Sequence, residues 1–184
     1  ADDLVKRNFN ADHPDQLWVS DFTYIQTHSG WVYTAFIIDV FSRAIVGWKV
    51  STRMNTDMVL DALEQALHDR GMPKNVIHHS DRGVQYLSIR YTNRLEAANL
   101  RASVGTTGDS YDNALAETVN GLYKTEVIEY LKADWQGLAD VQLATLNWVD
   151  WFNKKRVHSA LGYVSPFEFE AMYYDKINPL GQVA

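Results

Sequence analysis

LWVSDFTYIQTHSGWVYTAFIIDVFSRAIVGWKVS, residues 17–51, holds three β-type segments in succession. Residues 17–26, 31–40 and 44–51 are rich in aromatic and β-branched side chains, and turn signals at His28-Ser29-Gly30 and Phe41-Ser42-Arg43 separate them. Links that short predict an antiparallel meander. Downstream the period changes. Over 55–70 the apolar residues Val59, Leu60, Leu63, Ala66 and Leu67 recur at helical spacing, with Asp57 and Asp61 early and Gly71 just past the end. Residues 74–79 then read as a short strand, 88–99 as a helix and 100–104 as another short strand. A helix over 112–131 follows the Gly-containing stretch 105–110, and a Trp-rich helix covers 138–152. Ser165-Pro166 with Glu168 has the form of a helix start with proline in its first turn. Strands and helices that alternate after a meander predict an α/β domain, a mixed sheet with helices on its faces.

No repeat, low-complexity tract or Pro/Gly/Ser linker interrupts the chain. Its 184 residues, 46% hydrophobic and 12% aromatic, suffice for one buried core. The expected organisation is a polar lead-in over 1–16, a core over 17–170 and a C-terminal tail over 171–184. The absence of Cys excludes disulfides, thiolate zinc sites and cysteine nucleophiles, and it fits a reducing cytoplasm. No apolar run approaches the roughly 20 residues of a membrane span, and the opening ADDLVKRNF lacks the apolar centre of a signal peptide, so a soluble cytosolic protein is expected. The formal charge of −6, from 17 basic and 23 acidic residues, argues against a stand-alone DNA-binding module. That objection weakens where clustered acids bind divalent cations, each of which returns positive charge. It weakens further if a basic domain is missing from an excised fragment.

Three acids occupy positions that call for explanation. Asp21 lies inside the first strand segment, among aromatic and β-branched neighbours where a charge is disfavoured unless paired or bound to a cation; an edge or turn-capping role is the plainer reading. Asp81 closes the apolar strand of VIHHSDRGVQY, beyond whose carboxyl end an open α/β sheet binds its ligands, although an Asp before Arg82-Gly83 is also a common turn. His78 and His79 beside it point to opposite faces of a strand and have no zinc-ligand spacing. On the helix over 112–131, at about 100° per residue, Asn113, Glu117 and Lys124 share a polar stripe opposite Leu115, Val119 and Leu122. Such a stripe is ordinarily just a solvated face. Taken together the three acids suit phosphoryl transfer, in which positioning and charge neutralisation do most of the chemistry and a few carboxylates suffice to hold divalent ions.

These residues also carry a resemblance. WVSDFTYI, FIIDVFSRAIVGW, HHSDRGVQY, GDSYDNALAETVNGLYKTE and FNKKRVHSALGY, in that order, resemble the integrase-like catalytic core of bacterial insertion-sequence transposases encoded by a second, frameshifted reading frame. The likeness runs from about Leu17 to Phe169. With 59 residues between Asp21 and Asp81 and 35 between Asp81 and Glu117, it matches the family's Asp, Asp, thirty-five, Glu pattern. The resemblance implies a ribonuclease-H-like fold, with a five-stranded mixed sheet of three antiparallel and two short parallel strands flanked by helices. It implies two Mg²⁺ or Mn²⁺ ions held by Asp21, Asp81 and Glu117, and DNA nicking at transposon ends followed by strand transfer. Lys124, Asn113, Arg156 and His158 fall where the family contacts DNA, while Asp112 is expected only to cap. Ser80, Arg82, Gly83, Gln85, Tyr86 and Asn153 match the motifs without an assigned role, and Phe152 stands where many members carry Tyr.

The resemblance further implies DNA partners, homodimerisation, and a nucleoid-associated site of action in a bacterial cytoplasm. Complete members carry a helix-turn-helix region ahead of this core and often work with a separate DNA-binding subunit. Exposed Trp135, Trp148 or Trp151 would serve dimerisation, although core packing is the expected role of at least two. Residues 105–110 read as a mobile loop beside the site, without the ending of a nucleotide-binding loop. Two other readings stand beside the transposase. One is a ribonuclease-H-type or junction nuclease using a fourth acid from Asp57, Asp61 or Glu64. The other is a catalytically silent DNA-binding or assembly module.

Overall fold

β1 (Leu17–Thr27), the strand that carries Asp21, lies at the centre of the sheet. On one side it pairs antiparallel with β2 (Gly30–Asp39), from Trp18↔Asp39 to Thr27↔Gly30. On the other it pairs parallel with β4 (Ile77–Ser80), from Leu17↔Ile77 to Ser20↔Ser80. β3 (Ile45–Ser51) adds antiparallel to β2 and β5 (Arg101–Val104) adds parallel to β4, giving the order β3-β2-β1-β4-β5. The computed structural model describes residues 2–5, 9–81, 84–105, 114–131 and 134–179. The expected meander and pair of short parallel strands are both present. The strand expected from residue 74 starts at Ile77, because Asn75 takes a left-handed backbone (φ 63°) that breaks extension.

Both faces of the sheet are buried, which explains why the run Ala35, Phe36, Ile37, Ile38 is apolar without alternation. Ala35 and Ile37 face a core shared with α1 (Thr56–Asp69) and α3 (Ile89–Ala97); Phe36 and Ile38 face a second core with α4 (Ala114–Tyr123) and α5 (Leu138–Lys154). Asn55 caps α1 by accepting from the Met58 amide at 3.2 Å, and Ser88 caps α3 by accepting from the Tyr91 amide at 3.2 Å. α1 crosses the sheet where Gly47 lies. A Cβ there would run into the Ala62 carbonyl and lie 3.0 Å from the Ala66 Cβ, so only glycine admits the helix this close.

α2 (Val84–Leu87) is a single turn between Asp81 and α3. The helix expected over 112–131 divides: α4 ends at Tyr123, and Lys124–Glu129 continues as a π-helical turn. α6 (Pro166–Ile177) starts as its sequence predicts, with Ser165 accepting from the Glu168 amide at 3.3 Å, and it runs across position 170, where the core was expected to end. A buried ionic clamp ties α6 to the sheet. Arg70 at the end of α1 donates from Nη1 to Glu170 Oε1 at 2.8 Å and from Nε to Asp15 Oδ1 at 2.9 Å. Asp39 accepts from the Asp15 amide at 2.7 Å and the Ser42 amide at 3.0 Å. No helix among the described residues is long and apolar enough to cross a membrane.

Candidate active site

Asp21 and Asp81 are brought together by strand register. Ser20↔Ser80 is the last pair of the parallel ladder between β1 and β4, and the next residue on each strand is an acid. Adjacent strands run about 4.8 Å apart, so the two carboxylates leave neighbouring backbones where β4 stops and β1 continues. This is the carboxyl end of the parallel strands, the favoured ligand edge of an open α/β sheet.

Glu117 comes from α4, which packs across β1. One turn further on, Asn120 donates from Nδ2 to Asp21 Oδ2 at 3.4 Å, which sets the Glu117 face of the helix toward the strand acids. The second Asp21 oxygen accepts from the Phe22 amide at 2.8 Å. The Asp21 carboxyl is raised to about 6, first by burial and then by the charges of Asp81 and Glu117, against the lowering effect of the Phe22 amide. The three acids therefore share one electrostatic field. Neither Asp21 nor Glu117 forms an ion pair among the described residues. No cluster of three His, Asp or Glu side chains among those residues has the geometry to hold a metal ion, so the trio is an open set rather than a closed cage. The donor chemistry nonetheless fits a hard divalent cation, since every donor is a carboxylate oxygen and the charges of Asp81 and Glu117 both act on Asp21.

Asn120 escaped the sequence reading. Its signal was the three-residue spacing from Glu117, which an amphipathic pattern alone cannot separate from solvated polarity. Its Oδ1 is enclosed without a hydrogen-bond partner among the described residues. Tyr86, matched by motif but given no role, packs its ring against Phe22 (centroids 6.3 Å apart, planes 22°). Burial pushes its phenol well up, with smaller contributions from Tyr91, Asp21 and Asp81, so a neutral hydroxyl stands in the field of both aspartates. Beneath it, His78 Nε2 shares hydrogen bonds at 2.7 Å with Ser20 Oγ and Tyr91 OH, and burial lowers the ring to about 3. His79, on the opposite face, bonds Ser103 Oγ at 2.8 Å. Both histidines are core groups.

The remaining candidates separate. Lys124 stands at the start of the π-helical turn, and its Nζ lies 5.1 Å from the centroid of the Tyr24 ring. Asn113, with Asp112 and the loop 106–110, lies outside the described residues. Asn153 docks α5 on the sheet edge, accepting from the Ile45 amide at 2.8 Å and donating to the Ile45 carbonyl at 2.9 Å. Arg156 donates to Glu126 on the π-helical turn at 2.8 Å. His158 is 6% exposed and is lowered to about 4 by burial, Arg156 and Arg43. It accepts from Arg156 Nη1 at its Nδ1, 3.3 Å away, which places the ring proton on Nε2. A DNA contact by either residue would require exchanging these internal bonds. Trp135 and Trp148 are packed, leaving Trp151 exposed, in line with the expectation that at least two serve the core. Asp57, Asp61 and Glu64 pair with Arg90, Lys49 and Arg94, so none stands with the trio as a fourth acid.

Residues 11–110 match the integrase core domain family, and residues 98–166 match a second family of the same description. The chain is 57% identical over 177 residues to a transposase for insertion sequence element IS629 from Shigella sonnei, covering 96% of this chain and 59% of that protein. It is 38% identical over 172 residues to transposase InsF for insertion sequence IS3A from Escherichia coli K12, covering 92% of this chain and 59% of the relative. The chain thus spans about three-fifths of the length of these relatives. Among solved structures, the HTLV-2 integrase catalytic core domain in complex with magnesium (dimeric form) superposes with a TM-score of 0.70 at 18% identity, covering 88% of this chain and 99% of that one. At that identity the likeness is one of fold.

Proposed function

The chain belongs to the integrase core domain family, and on that premise we propose that it is the catalytic core of a bacterial insertion-sequence transposase. Asp21, Asp81 and Glu117 would hold two Mg²⁺ or Mn²⁺ ions while DNA is nicked at the element's ends and strand transfer follows. What supports this reading above all is the convergence of three carboxylates from β1, the end of β4 and α4 on one electrostatic field. The relatives are named as insertion-sequence transposases, and the HTLV-2 core was solved with magnesium.

Bound cations would neutralise charge on the phosphate and activate the attacking oxygen. The chain's own residues orient and shield. The Phe22 amide and the Asn120 side chain fix both oxygens of Asp21, so its carboxylate presents a set direction to whatever it holds. Tyr86 and Phe22 form an apolar floor beside the two aspartates, which keeps water from one side of them. Lys124 and Asn113 would contact DNA ends.

The charge of −6 leaves most DNA affinity to other parts: a helix-turn-helix region in the longer protein or a separate DNA-binding subunit. Action at the bacterial nucleoid follows from the same reading. A homodimer would bring two DNA ends together, and a groove of about 600 Å³ lined by Tyr130, Leu131, Trp148 and Trp151 offers apolar surface for it.

Strand nicking and joining on labelled transposon-end DNA with Mn²⁺ tests the proposal. Glu117→Gln should remove product while leaving the thermal unfolding midpoint within a few degrees; equal product from variant and parent removes Glu117 from the chemistry.

A further inference from the structure

The β1–β2 hairpin projects beyond both neighbouring strands. β1 pairs with β4 only through Ser20, and β2 pairs with β3 only from Tyr33 onward, so the segment around Tyr24 and Trp31 has no flanking strand among the described residues. This projecting part carries two large aromatic side chains that neither core uses. Tyr24 is 56% exposed and Trp31 50%. Tyr24 faces Tyr33 and Trp31 faces Gln26 across the ladder, which makes them diagonal neighbours, and their rings meet edge to face with centroids 5.2 Å apart and planes at 87°. Lys124 Nζ, without an ion pair among the described residues, stands over the Tyr24 ring.

A cross-strand aromatic pair stabilises a hairpin, and that would account for two rings packed away from water. It does not account for half of each ring facing solvent with a cation laid on top. We infer that Tyr24, Trp31 and Lys124 form a stacking site for an unpaired base of the DNA strand whose phosphate lies at the carboxylate trio, an inference that rests on the function proposed above.

Aromatic faces stack on any base, and a lysine beside them draws in the backbone phosphate. In a duplex the base faces are already covered, so the site selects a frayed or single-stranded end. Tyr24 is three residues along β1 from Asp21, about 10 Å, or roughly three stacked nucleotides. The two side chains point to opposite faces of the sheet, and the strand would pass between them around the edge of β1 that β4 leaves uncovered. Lys124 already makes that crossing: it follows the helix whose Asn120 touches Asp21, yet it reaches Tyr24.

The test measures binding of the 184-residue chain to a 5′-labelled single-stranded oligonucleotide at low ionic strength by fluorescence anisotropy, beside a blunt duplex of the same sequence. Tyr24→Ala and Trp31→Ala should each weaken single-strand binding by about five- to a hundredfold, with duplex binding changed less than about twofold. Trp31→Phe should retain most of the affinity, and the unfolding midpoint of each variant shows whether the hairpin is intact. Unchanged single-strand affinity in both alanine variants, equal losses on both DNAs, or no single-strand binding by the parent chain overturns the inference. The nicking assay reports separately on the trio. Glu117-dependent nicking with alanine variants that bind like the parent removes the stacking site and leaves the active-site reading. Selective loss in the alanine variants with Glu117-independent nicking removes the active-site reading and leaves a base-stacking surface.

Discussion

Asp39 and Asp21 are acids on neighbouring strands of one sheet, each raised to about 6 with burial as the first cause, yet their surroundings differ in kind. Around Asp39 the chain supplies two backbone amides, the Ser42 hydroxyl and the guanidinium of Arg70, which also clasps Glu170 and Asp15. Around Asp21 it supplies one amide, one side-chain amide at 3.4 Å and two more carboxylates. The first cluster is balanced from within and locks α6 onto the sheet. In the second, the charged neighbours that raise Asp21 are carboxylates. Burial alone therefore does not mark a functional acid; among the described residues, what sets Asp21 apart from Asp39 is that no cation acts on it.

The comparison breaks most sharply at Arg70. Arg70→Ala leaves Glu170 and Asp15 without their cation, and breaking a buried pair of this kind costs about 3–5 kcal/mol, read as a fall in the denaturant midpoint. No loss, or a gain, would mean that the clamp is not what holds α6.

The pH dependence of Asp39 comes next. Its carboxyl is raised in the fold above the ordinary value of 3.8, so the folded state binds the proton more tightly than the unfolded state. That contribution is complete below pH 4 and is lost as the pH rises through about 6, at most about 3 kcal/mol across the window. Asp39→Asn should flatten this part of the stability profile relative to the parent chain. Geometry points the same way: the Ser42 hydroxyl lies 3.3 Å from Asp39 Oδ1 and 3.0 Å from Glu170 Oε2, which keeps the two carboxyls close and adds to the rise at Asp39.

Ser42→Ala should cost about 1–2 kcal/mol in urea unfolding, because it removes the shared hydroxyl and leaves the Ala44 amide short of an acceptor. The smallest effect has the opposite sign. Asp21→Asn relieves the repulsion from Asp81 and Glu117 and should stabilise the chain at neutral pH by about 1 kcal/mol while abolishing nicking. Mg²⁺ should raise the melting temperature of the parent by mass action and leave that of Asp21→Asn nearly unmoved. Destabilisation by Asp21→Asn would place Asp21 with Asp39 as a structural acid.

Much of the architecture was legible because its causes are local. Short turns forced the meander, the period of Val59, Leu63 and Ala66 announced α1, and Ser165-Pro166 marked a helix start that the structure caps as expected. The residues that resisted were those whose roles depend on what packs beside them. Lys124 looked like one more polar residue of a helical stripe, but its Nζ stands over the ring of Tyr24, a contact that no helical period announces. Arg156 and His158, singled out by motif, turned out to be committed to Glu126 and to each other.

The amino-acid order by itself determined the elements, the three acids and their spacing, since strand period, helix period and turn chemistry act over a few residues. Tertiary structure alone decided that Asn120 would steady Asp21 across 99 positions of chain, and that Arg70 would neutralise Glu170 across 100. Contacts at that separation are set by strand order and helix packing, which no local pattern encodes.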